Sequence, residues 1–180
     1  MHTVPVAHRL RIIFFVLIFS LSIYAQQPLN EHLQFLASYV NKTWNGTFVD
    51  TTAEKPMHDV ALWEQVLNGQ AVRILHSVND GIYGGETIIY WDKQKEAVVY
   101  YYFTTAGFYT NGTMKSESDT ILCHEYVTGN QNGISEVRST TRLLAYGKMD
   151  VTAEFLKNGT WIPGHRIIYK EDASTKVIFK

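Results

Sequence analysis

Three histidines lie in segments where apolar residues recur at every second position: His76, His124 and His165. An imidazole titrates near neutral pH and is a good metal ligand, so two or three of these rings beside a carboxylate would form a metal or acid–base site. A histidine on a strand is more often a hydrogen-bonded core or rim residue, which is the structural alternative. The glutamates that could supply the carboxylate are Glu64, Glu86 and Glu125.

The motifs of the well-marked enzyme classes are absent from the sequence. It holds no glycine-rich nucleotide loop, no His-Glu-x-x-His, no paired CxxC and no Gly-x-Ser-x-Gly. Cys123 is the single cysteine, and its position within an alternating segment favours a buried structural thiol over a reactive one. The sequence therefore identifies no reaction and favours a protein that is not an enzyme. A catalyst built from scattered residues is the alternative interpretation.

Aromatic residues make up 13% of the chain and admit two interpretations. In one, the tryptophans and tyrosines fill the interior of a wide barrel. In the other, the interior is partly empty and the aromatic rings line a cavity for a small apolar or planar molecule. The candidate lining residues are Trp63, Trp91, Tyr100, Tyr102, Trp161 and His165.

These side chains need elements to position them, and the first predicted element is a helix. Leu29, Leu33, Leu36 and Val40 follow one another at spacings of four, three and four. This spacing places them on one face of an amphipathic helix of about three turns over residues 28–40.

After the helix, the apolar period changes to two and predicts about ten strands joined by linkers of two to five residues. Linkers of that length impose antiparallel neighbours. Closure removes the exposed edges of so long a meander, so we predict an all-β, up-and-down barrel with the helix closing one end. The predicted strands are 43–50, 57–66, 70–78, 83–92, 96–104, 108–116, 119–127, 133–143, 146–156 and 160–170, with a short addition at 175–179.

The first 25 residues have the pattern of an export signal. Arg9 and Arg11 precede an apolar run over 12–23, which is shorter than the roughly 20 residues a membrane-spanning helix needs. An uncleaved membrane anchor is the alternative interpretation. Cleavage after Ala25 would leave 26–180 as a single domain, and no cysteine stands next to the cleavage site to carry a lipid anchor. We therefore expect a periplasmic or secreted protein with no stable membrane anchor.

Charge and composition restrict the partners of the mature chain. The leader holds two of the sixteen lysines and arginines and none of the seventeen acids, so residues 26–180 carry a net charge of −3. This charge gives no support for a nucleic-acid surface. The expected partner is a small apolar molecule.

One predicted strand, 97–103, is apolar or aromatic on both faces. Its outer face therefore requires a cover, either from the tail, from a partner or from the hydroxyl-bearing edges of its tyrosines. This pattern leaves a third interpretation, in which a fully packed barrel acts as a protein-interaction module. We expect the chain to be a monomer or a homodimer.

Four short motifs resemble those of a bacterial family of exported proteins. The chain is similar to the uncharacterised lipocalin-like DUF1579 group, which is related in shape to the nitrobindin-type ten-stranded barrels of the calycin superfamily. The resemblance spans roughly 30–170 and implies a barrel with a cavity. The motifs are KTWNG at 42–46, GGETIIYWD at 84–92, TNGT at 110–113 and NGTW at 158–161.

The resemblance also implies roles for three residues. Trp44 and Gly46 match the family pattern Gly-x-Trp-x-Gly, whose tryptophan closes the end of the barrel near the helix, while Lys42 stands where the first glycine would be. Nitrobindin-type proteins bind haem through a histidine close to the C-terminus. His165 is the candidate for that ligand here.

Overall fold

The structure is a computed structural model that describes residues 27–52, 54–129 and 132–180. The predicted export signal over 1–25 lies outside these residues. Among the residues described, no helix has the length and apolar character needed to cross a membrane.

Ten antiparallel strands form a closed barrel in which each strand pairs with the next and the last pairs with the first. The predicted all-β, up-and-down barrel is confirmed, and the strand bounds agree with the prediction to within a few residues. Single turns of 3₁₀ helix occupy three of the connections: Leu67–Gly69, Asn79–Gly81 and Ala145–Gly147. The strands are β1 Lys42–Phe48, β2 His58–Val66, β3 Ala71–Val78, β4 Tyr83–Asp92, β5 Ala97–Thr104, β6 Tyr109–Glu117, β7 Thr120–Thr128, β8 Ile134–Leu144, β9 Lys148–Lys157 and β10 Thr160–Glu171.

The predicted N-terminal helix is shorter and tighter than its apolar spacing indicated. It is a six-residue 3₁₀ helix, Glu31–Leu36, and the side chain of Asn30 caps it by accepting from the backbone N–H of His32 at 3.0 Å. A 3₁₀ helix has three residues per turn, so Leu33 and Leu36 share one face, and both are fully buried. Leu33 and Leu36 pack in the same core cluster as Trp44 and Trp63, so the helix covers one end of the barrel.

Aromatic side chains complete the closure at this end. The indole N–H of Trp44 donates to the backbone carbonyl of Tyr39 at 3.1 Å, and the Tyr39 ring stacks on Trp63 with centroids 5.5 Å apart. Trp44 is 1% exposed. A side chain at Gly46 would meet the ring of Tyr169 at 2.5 Å, so the contact between β1 and β10 requires a glycine there.

The C-terminal tail forms no strand at the predicted addition over 175–179. It lies instead against the outer face of β3 and β4. The backbone N–H of Ile178 donates to the Ser77 hydroxyl at 3.0 Å, and a side chain at Gly84 would meet the ring of Phe179 at 3.2 Å. The tail therefore covers an outer face where the small residues leave room for it.

Candidate functional site

The barrel encloses a cavity of about 540 Å³ to which all ten strands contribute side chains. Its wall includes Phe48 at the end of β1, Asp59 near the start of β2 and Tyr83 at the start of β4, so the cavity extends toward the end opposite the 3₁₀ helix. Small inward residues such as Ala61 and Ala153 leave its centre empty. The volume is within the range typical of small-molecule sites.

Four polar side chains in the cavity wall are joined in a chain of hydrogen bonds. His76 Nδ1 lies 2.8 Å from Asp59 Oδ1, and its Nε2 lies 2.7 Å from the hydroxyl of Tyr102. The hydroxyl of Tyr102 is in turn 2.8 Å from that of Tyr83. The chain brings together β2, β3, β4 and β5 on the inner face of the barrel.

Asp59 anchors this chain from a fully buried position. It is 2% exposed and accepts a second hydrogen bond, at 2.7 Å, from the hydroxyl of Tyr169 on β10. Burial, followed by the nearby Asp59, raises the pKa of Tyr169 well above its ordinary value. Burial likewise raises the pKa of Tyr102 and Tyr83. All three phenols therefore keep their protons at neutral pH and act as donors.

A second polar group, Glu125 on β7, faces the same cavity. Its carboxyl accepts a hydrogen bond from the hydroxyl of Thr110 and interacts with that of Tyr100. Burial raises the pKa of Glu125, and these two hydrogen bonds oppose the shift.

The thiol of Cys123 lies two residues before Glu125 in the same wall. Burial raises its pKa to about 12. A thiol that stays protonated is a poor nucleophile, so the environment of the half-buried Cys123 agrees with the structural role expected for it.

His165 lies in the cavity wall between two phenylalanine rings. Its ring centroid is 5.6 Å from that of Phe48 and 5.8 Å from that of Phe155. Burial lowers its pKa, so the imidazole is neutral at neutral pH. No hydrogen bond to His165 occurs within the part of the chain that the structure describes. The ring therefore presents a nitrogen lone pair that is free for a ligand.

The structure brings four of the six candidate lining residues to the cavity: Trp63, Tyr100, Tyr102 and His165. Trp91 packs at the closed end instead, where its ring stacks on His32 with centroids 3.7 Å apart. Trp161 lies on the outer face, where the guanidinium carbon of Arg138 is 4.4 Å from the centroid of the Trp161 ring. A register shift between Pro163 and Arg166 breaks the alternation of β10 and turns Trp161 outward.

The three candidate metal ligands do not converge. His76 and His165 face the cavity, whereas His124 points outward from β7 and its Nε2 lies 2.7 Å from Glu136 Oε2. No group of three or more histidine, cysteine or acidic side chains suited to a metal ion occurs among the described residues.

Comparisons with known proteins identify the fold and no closer relationship. No family model matches the chain, and no curated protein matches it. Among solved structures, the chain is similar to the crystal structure of Rv2717c from M. tuberculosis, with a TM-score of 0.60 and 11% identity over 80% of this chain and 99% of that one. At that identity the similarity shows the lipocalin-like barrel fold alone. Membership of the DUF1579 group and of the calycin superfamily stays a prediction.

Proposed function

We propose that the protein is an exported carrier or sensor that holds one small hydrophobic molecule inside its barrel. The observation that supports this proposal most strongly is the cavity of about 540 Å³, whose wall is mostly apolar and aromatic. Membership of the lipocalin-like bacterial group is part of the same proposal. We propose no reaction for the protein.

The cavity also weighs against the alternative of a fully packed interaction module. Protein interiors contain few voids larger than a water molecule. A space of this size among apolar side chains holds either poorly bound water or a ligand, and an apolar ligand gains free energy by displacing that water. A hollow interior is therefore better explained by binding than by structural support.

Native mass spectrometry of the purified protein tests the proposal directly. We expect a co-purified species of small mass that is released into organic solvent. Repeated spectra of the unliganded mass, together with no saturable binding of an added apolar probe, would contradict the proposal.

A second candidate function is haem binding through His165. The observation that favours it is the neutral, unpartnered imidazole among apolar side chains, because a haem needs both an axial donor and an apolar pocket. When bound, haem would supply an iron centre for electron transfer or for binding a small molecule. The apolar wall of the cavity would hold the porphyrin, and the His165 imidazole would supply a nitrogen to the iron.

Haem titration followed by absorption spectroscopy distinguishes this candidate. We expect a Soret shift that saturates at one equivalent and is lost in His165→Ala, while the matched variant His124→Ala on the outer face keeps it. An unchanged Soret band with the parent protein, or equal binding by His165→Ala, would rule out haem ligation by His165.

A further inference from the structure

The cavity wall carries acidic side chains but no lysine or arginine among the described residues. The acidic residues are Asp59 and Glu125. Arginines that the structure describes lie on the outer surface, where Arg73, Arg138 and Arg166 pair with acids of neighbouring strands. The interior therefore favours a neutral or cationic ligand over an anionic one, because like charges repel strongly in a low-dielectric space.

The two acids differ in the hydrogen-bond partners that their carboxyl groups already have. Asp59 accepts hydrogen bonds from both His76 and Tyr169. Among the residues that the structure describes, the hydrogen-bond partners of the Glu125 carboxyl are neutral hydroxyls, those of Thr110 and Tyr100. A carboxylate offers about four lone-pair positions, so Glu125 keeps the capacity to accept further hydrogen bonds. No lysine or arginine of the described part of the chain lines the cavity beside it.

The hydrogen-bond chain that starts at Asp59 also ends in an acceptor. With the His76 proton on Nδ1, Nδ1–H donates to Asp59 and Nε2 accepts from Tyr102. The oxygen of Tyr102 then accepts from the hydroxyl of Tyr83. Every donor of the chain is used within it, and the lone pairs of the Tyr83 oxygen remain. Glu125 is close enough to Tyr83 for its charge to raise the pKa of that phenol.

We infer that the cavity selects a hydrophobic amine, whose ammonium group donates to Glu125 and whose apolar body lies along the wall of the barrel. This inference rests on the proposed function, since it names the class of ligand that the same cavity takes. Tyr100, Tyr102 and Phe108 line the same cavity as Glu125, and an aromatic ring attracts a cation that lies over its face.

The ion pair requires an ionised carboxyl and a protonated amine, which sets the sign of its pH dependence. Burial raises the pKa of Glu125. Affinity for the amine therefore rises as the pH rises through that value, and it falls again as the amine loses its proton near about pH 10. The titratable groups that face or influence Glu125 are Tyr83, Tyr100, Tyr102 and Cys123, all with raised pKa values, and His124, whose charge lowers the Glu125 pKa from the outer face of β7.

The other charged and titratable groups of the cavity lie in the Asp59 cluster or beside it. They are Asp59, His76, Tyr169 and His165. The first three keep the hydrogen bonds described above, and burial lowers the pKa of His165.

Isothermal titration calorimetry with three probes of equal chain length tests the inference on the intact protein: decylamine, 1-decanol and decanoic acid. At neutral pH we expect decylamine to bind about tenfold more tightly than 1-decanol, as one charge-assisted hydrogen bond allows, and decanoic acid to bind least tightly. Glu125→Gln should remove the advantage of decylamine and leave 1-decanol unchanged. Glu117→Gln, on the exposed end of β6, is the matched control and should behave as the parent.

The outcomes separate this inference from the proposed function. The uncharged dye N-phenyl-1-naphthylamine serves as the reference for apolar binding. If the dye binds but 1-decanol or decanoic acid binds as tightly as decylamine, or if Glu125→Gln keeps the preference, the amine assignment is wrong and the carrier proposal stands. If neither the dye nor any decyl compound binds, both fail. Should Glu125→Gln not fold, the probe series and its pH profile with the parent protein decide the matter.

Discussion

At the scale of single residues, the most constrained group is the buried carboxyl of Asp59. Two side chains donate to it, His76 from the neighbouring strand and Tyr169 from across the barrel closure. A buried acceptor that loses a hydrogen-bond partner has been removed from water without compensation, which costs free energy. Both contacts therefore stabilise the barrel, and they also shape the cavity.

Tyr169→Phe tests this arrangement. The variant removes one donor from Asp59 while keeping the ring, so we expect the free energy of unfolding to fall by about 1–3 kcal/mol. Urea denaturation followed by circular dichroism measures the change. Tyr101→Phe, on the outer side of β5, is the control and should unfold as the parent does. Equal stability of Tyr169→Phe and the parent would show that the hydroxyl of Tyr169 does not stabilise the carboxyl.

Glu125 should also make the stability of the folded protein depend on pH. Burial raises its pKa in the folded state, so the folded protein holds this proton to a higher pH than the unfolded chain, whose glutamates titrate near about 4.3. This contribution to stability is therefore present in acid and is lost as the pH rises through the raised pKa. Glu125→Gln should flatten that part of the stability profile, whereas Glu117→Gln should not. Parallel profiles for the parent and Glu125→Gln would contradict the raised pKa.

The residues of the site could be predicted from the sequence only in part. Tyr100, Tyr102 and His165 were predicted as lining residues and lie in the cavity wall. Asp59 was not predicted, although it lies on the same face of β2 as Trp63, which was predicted to line the cavity. An acid on the same strand face as Ala61 and Trp63 is the sequence signal that could have identified Asp59.

At the scale of elements, short linkers and a period of two were sufficient to predict ten strands and their antiparallel order. The bulge in β10 was not predicted, and it moved Trp161 to the outer face. Pro163 and Gly164 were the available signal, since a proline and a glycine within a strand mark irregular pairing. The helix was predicted too long, because spacings of three and four do not separate an α-helix from a single 3₁₀ segment followed by turns.

The seam between β1 and β10 depends on one glycine. In Gly46→Ala the added methyl group would meet the Tyr169 ring at 2.5 Å and the Ile167 side chain at 2.7 Å. We expect a loss of about 1–3 kcal/mol in unfolding free energy, as for other overpacked interiors. Thermal unfolding measures it, with Thr47→Ala at the adjacent exposed position as the control. An unchanged melting temperature for Gly46→Ala would show that β1 and β10 accommodate a side chain at position 46 without loss of stability.

At the scale of the whole molecule, closure of the barrel was predictable but its empty interior was not. The volume depends on the summed sizes of the inward side chains of all ten strands, and pattern alone does not give that sum. Large rings at one end and alanine, serine and threonine residues near the middle produce a barrel that is closed at the helix and hollow beyond it.

Fluorescence titration with N-phenyl-1-naphthylamine tests most directly whether the cavity binds an apolar molecule. We predict saturable enhancement at one site per chain. Ala153→Phe, which places a ring in the cavity, should abolish it, whereas Ala145→Phe in an exposed turn should bind as the parent does. Absence of saturable binding by the parent protein, or equal binding by a folded Ala153→Phe variant, would contradict binding of an apolar molecule in the cavity.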